Sequence, residues 1–135
     1  MGAGRTVLVV DDSKLHHQMY QLTFSRPALQ GYRLLHAFDG SQGLALFTTN
    51  PELAIVFLDL NMPVMTGLEF LARRQRDALH PHVPIVLVTT ESSPEDEARG
   101  KAAGAWQYLR KPFTPEQIEA LVVRAAELAG QPDRA

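Results

Sequence analysis

Cysteine is absent from this 135-residue chain, and its absence excludes several kinds of chemistry. Without a thiol there can be no disulfide framework, no thiolate zinc site and no cysteine nucleophile. No apolar run approaches the roughly 20 residues that a membrane-spanning helix needs. Charge is nearly balanced, with 13 Lys and Arg against 15 Asp and Glu, so there is no basic field for nucleic acid. We therefore expect a cytoplasmic protein that neither enters a membrane nor binds nucleic acid directly.

The length and composition of the chain predict a single domain covering residues 1–135. Hydrophobic residues make up 45% of the sequence, which is enough for a real core at this length. Residues 1–5 lead directly into the first apolar run, leaving no room for a signal peptide. No internal repeat or interdomain linker is visible, and a short polar tail is expected from Gly130 onward.

Short apolar runs alternate with amphipathic stretches along the chain. Runs of this kind indicate strands buried on both faces, as in a parallel sheet. They predict strands over residues 6–10, 32–37, 53–59, 85–89 and 105–110. Helices are expected over 13–25, from Asp39 to just before Asn50, from Thr66, from Ser93 to near Gly104, and from Thr114 to about 128. The order predicts an α/β fold with right-handed crossovers and helices on both faces of the sheet.

One face of the first predicted helix should be apolar. Leu15, Met19 and Leu22 recur at helical spacing, so we expect them, and Phe24, to point toward the core.

Polar residues follow four of the predicted strands. Asp11 and Asp12 follow the first strand, Asp59 ends the third, Thr89 ends the fourth, and Lys111 follows the fifth. The carboxyl ends of parallel strands lie at the same edge of the sheet, and ligands bind outside that edge. We therefore expect three carboxylates, a hydroxyl and an ammonium to meet there.

The chemistry of this predicted group of side chains favours phosphoryl transfer. Three carboxylates without a histidine or cysteine ligand suit a hard cation, and with room for water they suit Mg²⁺. Lys111 can pair with Asp59 or with an anion attached to it, and Thr89 offers a hydroxyl donor. A metal, an ammonium and a hydroxyl neutralise a moving phosphoryl group, and a carboxylate can accept it as an aspartyl phosphate.

Together these motifs resemble the receiver domains of two-component response regulators, particularly the single-domain chemotaxis type. The residues that carry the resemblance are Asp11-Asp12, Asp59-x-Asn61-Met62-Pro63, Met65-x-Gly67, Thr89, Ala103-Gly104-Ala105 and Lys111-Pro112-Phe113. The resemblance implies a flavodoxin-like (βα)5 fold with strand order 2-1-3-4-5 over about residues 6–128, and leaves nothing over for an output domain.

The resemblance also implies a role for each residue at the sheet edge. Asp59 would be the phosphoacceptor. Asp12, Asp59 and the backbone carbonyl of Asn61 would hold Mg²⁺, and Asp11 would act largely through bound water. Thr89 and Lys111 would contact the phosphoryl oxygens. The peptide bond before Pro112 is typically cis in the family, which would direct Lys111 into the site.

Signalling partners follow from the same resemblance. A sensor histidine kinase or a histidine phosphotransfer protein would supply the phosphoryl group. An unidentified downstream protein would bind the face formed by the fourth helix, fifth strand and fifth helix. The chain would be a monomer or a weak phosphorylation-dependent dimer. Tyr108 would be a switch that turns inward when Thr89 moves, and Trp106, expected on the same face of the strand, would be an anchor for a partner.

Plainer interpretations of these residues stay open. Asp12 could be only the N-cap of the first helix, and Pro112 an ordinary helix-start proline. Tyr108 and Trp106 could be packing residues. His16 and His17 are adjacent on a helix and so point about 100° apart, which argues against a shared metal.

Two other functions are alternatives to a phosphorylated switch. A degenerate receiver would bind partners without phosphorylation. A Mg²⁺-dependent phosphohydrolase would use Asp59 on phosphate esters, but enzymes that resemble haloacid dehalogenases have Asp where this chain has Asn61. The sequence therefore predicts a switch with intrinsic self-phosphorylation and dephosphorylation rather than an enzyme acting on other substrates.

Overall fold

The structure is a computed structural model that describes residues 4–90 and 93–130. Five strands and five α-helices alternate along it, with one short 3₁₀ helix at Pro27–Leu29. The strands are β1 (Thr6–Val10), β2 (Arg33–Ala37), β3 (Leu53–Asp59), β4 (Ile85–Thr89) and β5 (Gln107–Arg110). The helices are α1 (Lys14–Thr23), α2 (Gly40–Thr49), α3 (Gly67–Arg76), α4 (Pro94–Ala102) and α5 (Pro115–Ala129). All pairs are parallel and the order is β2-β1-β3-β4-β5, which confirms the predicted flavodoxin-like sheet.

Helices cover both faces of the sheet, as its apolar strands predict. Side chains alternate along a strand, so Val7 and Val9 of β1 pack on one side while Leu8 and Val10 pack on the other. The first side is closed by α1 and α5, and the second by α2, α3 and α4. Among the described residues no helix has the length and apolar character needed to span a bilayer. The predicted polar tail lies mostly in residues 131–135, outside the described residues.

Each α-helix begins at a side chain that caps its first turn. Asp39 and Ser93 accept bonds from backbone N–H groups of α2 and α4. Thr66 and Glu69 form a complete capping box at α3, as their spacing predicts. The N-cap of α1 is Ser13, whose hydroxyl accepts from the His16 N–H. The interpretation of Asp12 as that cap is therefore wrong, and its carboxylate is left for another role.

The inward face of α1 differs from the prediction. Leu15 and Leu22 are 63% and 73% exposed, so the expectation that they point toward the core is wrong. Met19 and Phe24 do pack against the core. The residues that α1 buries are His17, Tyr20 and Thr23. The buried face of α1 therefore does not follow from its leucines, because a histidine and a tyrosine occupy the positions that pack on the core.

The fifth strand is shorter than predicted, and this changes the position of Trp106. It begins at Gln107 rather than at residue 105, so Trp106 lies in the preceding bend, outside the alternation of the strand. Trp106 packs on the side closed by α1 and α5, with the Arg124 guanidinium 5.6 Å from its ring centre. Tyr108 packs on the opposite side. The prediction that the two aromatic rings share one face of the strand is wrong.

Candidate functional site

Four strand ends bring the predicted site residues to one edge of the sheet. Asp11 and Asp12 follow β1, and Asp59 is the last residue of β3. Thr89 ends β4 and is fully buried, while Lys111 follows β5. The Lys111 N–H donates to the Thr89 carbonyl at 2.7 Å, which holds the ends of β4 and β5 together.

The Lys111 ammonium lies among the carboxylates. Its nitrogen is 3.1 Å from Asp11 Oδ2 and 3.7 Å from Asp59 Oδ1. Asp11, Asp12 and Asp59 each offer an oxygen, and these oxygens lie within 4.8 Å of one another. Asp11 and Asp59 are buried and Asp12 is exposed. The Lys111–Pro112 peptide bond is cis, as the resemblance implies, and Pro112 precedes the start of α5 by three positions, so it is not the helix-start proline.

Burial raises the pKa of the Asp59 carboxyl from 3.8 to about 6, because the ionised form loses contact with water. The Lys111 ammonium and the Asn61 backbone N–H, which hydrogen-bonds the carboxylate, oppose this rise. The neighbouring Asp11 and Asp12 charges add to it. Among the described residues, the Lys111 ammonium therefore only partly compensates the negative charge of the three carboxylates.

The loop after β3 passes very close to the first turn of α3. The Gly67 N–H donates to the Leu60 carbonyl at 2.8 Å, and a Cβ on Gly67 would lie 2.7 Å from the Asp59 carbonyl oxygen. Asn61, in the loop between Leu60 and Gly67, is exposed. A glycine is needed where α3 begins because its backbone almost touches the strand end that carries Asp59.

Two histidines that the sequence did not assign to the site contact it. His16 Nδ1 lies 3.1 Å from Asp11 Oδ2 and 3.1 Å from Lys111 Nζ. His17 Nε2 lies 2.7 Å from the backbone oxygen of Asp11. Their positions, in the first turns of the helix that follows the two aspartates, were the available signal. Adjacent residues of a helix point in different directions, which argues against a metal shared by His16 and His17. It does not argue against separate contacts of each histidine with the site.

Comparison with known proteins identifies the family. The family model described as "Response regulator receiver domain" matches residues 7–123, most of the chain. The chain belongs to the response regulator receiver family. Receiver domains work as switches in two-component signalling and are generally not classed as enzymes.

Several chemotaxis proteins are among the relatives of this receiver domain. It is 33% identical over 113 residues to a chemotaxis protein CheY homolog of Campylobacter jejuni, covering 84% of this chain and 85% of that protein. It is 32% identical to the chemotaxis protein CheY1 of Helicobacter pylori strain 26695, covering 84% and 90% of the two chains. The structure of Vibrio cholerae CheY4 superposes with a TM-score of 0.79 at 38% identity, covering 91% of this chain and 99% of that one.

The acidic cluster of this receiver domain fits a divalent cation. Members of the family typically bind Mg²⁺ at such a cluster, and here Asp11, Asp12 and Asp59 form it. Their oxygens face one ammonium, that of Lys111, and the exposed Asp12 leaves one side open to water. An all-oxygen donor set with room for water suits Mg²⁺, which keeps several of its own water ligands.

Tyr108 combines a ring that packs on the core with a hydroxyl that lacks a hydrogen-bond partner among the described residues. The ring lies on the side closed by α2, α3 and α4, and the hydroxyl is buried. Gly100 of α4 makes room for the ring, since a Cβ there would lie 3.3 Å from Tyr108 Cε1 and 2.7 Å from Leu87 Cδ1. A buried hydroxyl without a partner costs free energy, so a change in ring position that gave this hydroxyl a partner would be favourable.

Proposed function

We propose that this chain is a stand-alone receiver that accepts a phosphoryl group on Asp59 and signals by binding another protein. The observation that carries the proposal is the meeting of three carboxylates and Lys111 at one sheet edge. The match to the Campylobacter homolog supports a single receiver domain over residues 1–135, because it covers 85% of that protein. The donor is a phosphohistidine on a sensor kinase or phosphotransfer protein. The free protein is a monomer or a weak phosphorylation-dependent dimer.

Asp59 is the nucleophile in this proposal. An ionised Asp59 oxygen attacks the phosphorus atom, the phosphorus–nitrogen bond to the donor imidazole breaks, and an acyl phosphate forms. A pKa of about 6 leaves this carboxyl mostly ionised at pH 7 and above.

Mg²⁺ is the cofactor that the donor set suits. Asp12, Asp59 and the Asn61 backbone carbonyl would hold it, with Asp11 acting largely through water. When bound, the ion supplies positive charge that stabilises the transferring phosphoryl group and lowers repulsion among the carboxylates.

Lys111 changes partners when the phosphoryl group arrives. Its ammonium lies closer to Asp11 than to Asp59, at 3.1 Å against 3.7 Å. A phosphoryl group on Asp59 adds negative charge beside Lys111 and draws the ammonium toward it. Thr89, one strand away and fully buried, donates its hydroxyl to the same group.

Tyr108 and Trp106 report this change to a partner on the surface formed by α4, β5 and α5. Tyr108 lies beside α4, where Gly100 leaves room for its ring, and Trp106 lies beside Arg124 of α5. The two rings therefore flank β5 on opposite sides, so one partner contacting both would span the strand. Movement of Thr89 changes the space available to Tyr108, and the partner selects one position of its ring.

Labelling with a small phosphodonor and Mg²⁺ distinguishes the proposal from its two alternatives. A receiver gives stoichiometric label that is stable to acid and labile to hydroxylamine. Continuous turnover of the donor without a stoichiometric limit would indicate a phosphohydrolase. No label at all would indicate a degenerate receiver that binds partners without phosphorylation.

A further inference from the structure

Two histidines far apart in sequence meet beside the acidic cluster. His17 of α1 is buried at 4% exposure, and its Nδ1 lies 2.6 Å from Nδ1 of His36 in β2. The other nitrogen of His17, Nε2, lies 2.7 Å from the Asp11 backbone oxygen. The His17 ring also stacks on Phe38, with centroids 4.1 Å apart. Every polar atom of the buried imidazole therefore has a partner.

The chemistry of these partners sets the direction of each hydrogen bond. A carbonyl oxygen only accepts, so His17 Nε2 carries a proton and donates to Asp11. In a neutral His17 the Nδ1 atom is then an acceptor, so His36 donates from its own Nδ1. The remaining His36 nitrogen becomes an acceptor, and the Gln21 amide nitrogen lies 3.5 Å from it. Burial and the neighbouring His17 lower the pKa of His36, which favours the neutral form of His36.

The hydrogen bond from His17 Nε2 to the Asp11 carbonyl fixes the orientation of the peptide group between Asp11 and Asp12. The Asp11 carbonyl belongs to the peptide plane that joins the two adjacent aspartates of the cluster. The Asp11 N–H donates to the Ala37 carbonyl of β2 at 3.1 Å, and His36 lies next to Ala37. Strand β2 therefore holds Asp11 at both ends, directly through the N–H and through His17 at the carbonyl. Rotation of this plane would turn Asp12 away from the other carboxylates.

The spacing of the two histidines does not fit a shared tetrahedral zinc ion. Two imidazole nitrogens on one tetrahedral zinc ion lie about 3.3 Å apart, given zinc–nitrogen distances near 2.0–2.1 Å. The observed 2.6 Å is a hydrogen bond instead.

We propose that His17 and His36 form a positioning pair for the Asp11–Asp12 peptide, in which the His36 Nδ1–H holds His17 in its Nε2–H form. The pair acts on the proposed Mg²⁺ site and so rests on the proposed function. The hydrogen-bond partners of His36 among the described residues are His17 and Gln21, so its effect on cation binding passes through His17. Carboxylate and carbonyl partners of metal-bound histidines act in a similar way, by fixing the tautomer of the ring.

The tautomers can be read directly in the wild-type protein. ¹⁵N–¹H correlation spectra of the imidazoles at pH 8 should show His17 protonated at Nε2 and His36 protonated at Nδ1. A spectrum with His17 protonated at Nδ1, or with His36 in its Nε2–H form, would overturn the pairing whether or not any variant folds.

Mg²⁺ titration by calorimetry tests the consequence. His36→Leu should weaken Mg²⁺ binding about 10-fold, the lower end of what losing an orienting partner costs at a metal site. His36→Asn keeps a donor facing His17 and should retain most of the affinity. His80→Leu is the control variant, since it also replaces a histidine by leucine but removes a hydrogen bond outside the site, 3.0 Å long to the Thr48 carbonyl.

The outcomes separate this inference from the proposed function. If wild-type protein binds no Mg²⁺, the proposed function fails. If wild-type protein binds Mg²⁺ and His36→Leu binds it equally well, the positioning pair is refuted while the proposed function stands. An equal loss in His80→Leu would also refute the pair, because the effect would then be a general loss of stability.

Discussion

Replacing Asp59 with asparagine should stabilise the metal-free protein. The change removes a negative charge from a nearly buried position and keeps the shape of the side chain. Lys111 loses its 3.7 Å contact with the Asp59 carboxylate but keeps the 3.1 Å pair with Asp11, so no buried ammonium is left alone. The raised pKa of Asp59 already contains the favourable effect of Lys111, and burial still outweighs it.

The magnitude follows from the pKa of Asp59 in the folded chain. The difference between about 6 and 3.8, at about 1.36 kcal/mol per pKa unit, corresponds to about 3 kcal/mol. The folded state here disfavours the charged form, so ionisation of Asp59 lowers the free energy of unfolding. Asp59→Asn should therefore recover up to about 3 kcal/mol at pH 8, or about 10 °C in Tm for a domain of this length.

The pH dependence of this effect has a definite sign. Between pH 3.8 and about 6 the folded chain retains a proton on Asp59 that the unfolded chain has lost. Stability of the wild type should therefore fall as the pH rises through this window. The advantage of Asp59→Asn should be absent near the lower limit, grow across the window and level off above it.

Thermal unfolding in EDTA at a series of pH values measures this effect. A Tm advantage of Asp59→Asn that grows between pH 3.8 and about 6 and is constant above that range supports the reasoning. Equal stability of the two proteins at pH 8, or an advantage that is the same at every pH, would refute it. Added Mg²⁺ should stabilise the wild type more than Asp59→Asn, since a ligand stabilises the state that binds it.

Three further changes have expected outcomes. Gly67→Ala should slow phosphodonor labelling and lower Tm, because its Cβ would lie 2.7 Å from the Asp59 carbonyl oxygen; intact labelling would show that the loop can adjust. Arg74→Met removes a buried guanidinium that donates to two backbone carbonyls and should cost about 1–3 kcal/mol in urea unfolding. Lys111→Ala should raise the pKa of Asp59 further, because it removes the ammonium that lowers that pKa; ¹³C titration of the carboxyl measures this, and an unchanged or lower pKa would contradict it.

The parts of the fold that the sequence predicts well are those set by local chemistry. The strands β3 and β4 have the predicted bounds, because each is a continuous buried run ended by a polar residue. The Thr66–Glu69 capping box depends only on residues within one turn. Convergence of Asp11, Asp59 and Lys111 also follows from the sequence, since parallel strands end at one edge and the family resemblance implies the strand order.

The errors arise where tertiary contacts decide the position of a side chain. Apolar character predicts the wrong buried face for α1, because the Asp11 carbonyl and His36 satisfy both nitrogens of His17 and allow it into the core. The two-residue period of a strand predicts one face for Trp106 and Tyr108, but β5 begins at Gln107, two residues later than predicted, so Trp106 lies outside it. A local sequence pattern shows neither the hydrogen-bond partners of His17 nor the residue at which β5 begins.

Intact-mass measurement after incubation with acetyl phosphate tests the central claim most directly. With Mg²⁺ present, the wild type should gain the mass of one phosphoryl group, and peptide mapping should place it on Asp59. Asp59→Asn should gain none under the same conditions, because an amide is not a nucleophile at neutral pH, and wild type in EDTA should gain little. Undiminished phosphorylation of Asp59→Asn, or a wild type that gains no mass with Mg²⁺, would contradict the account.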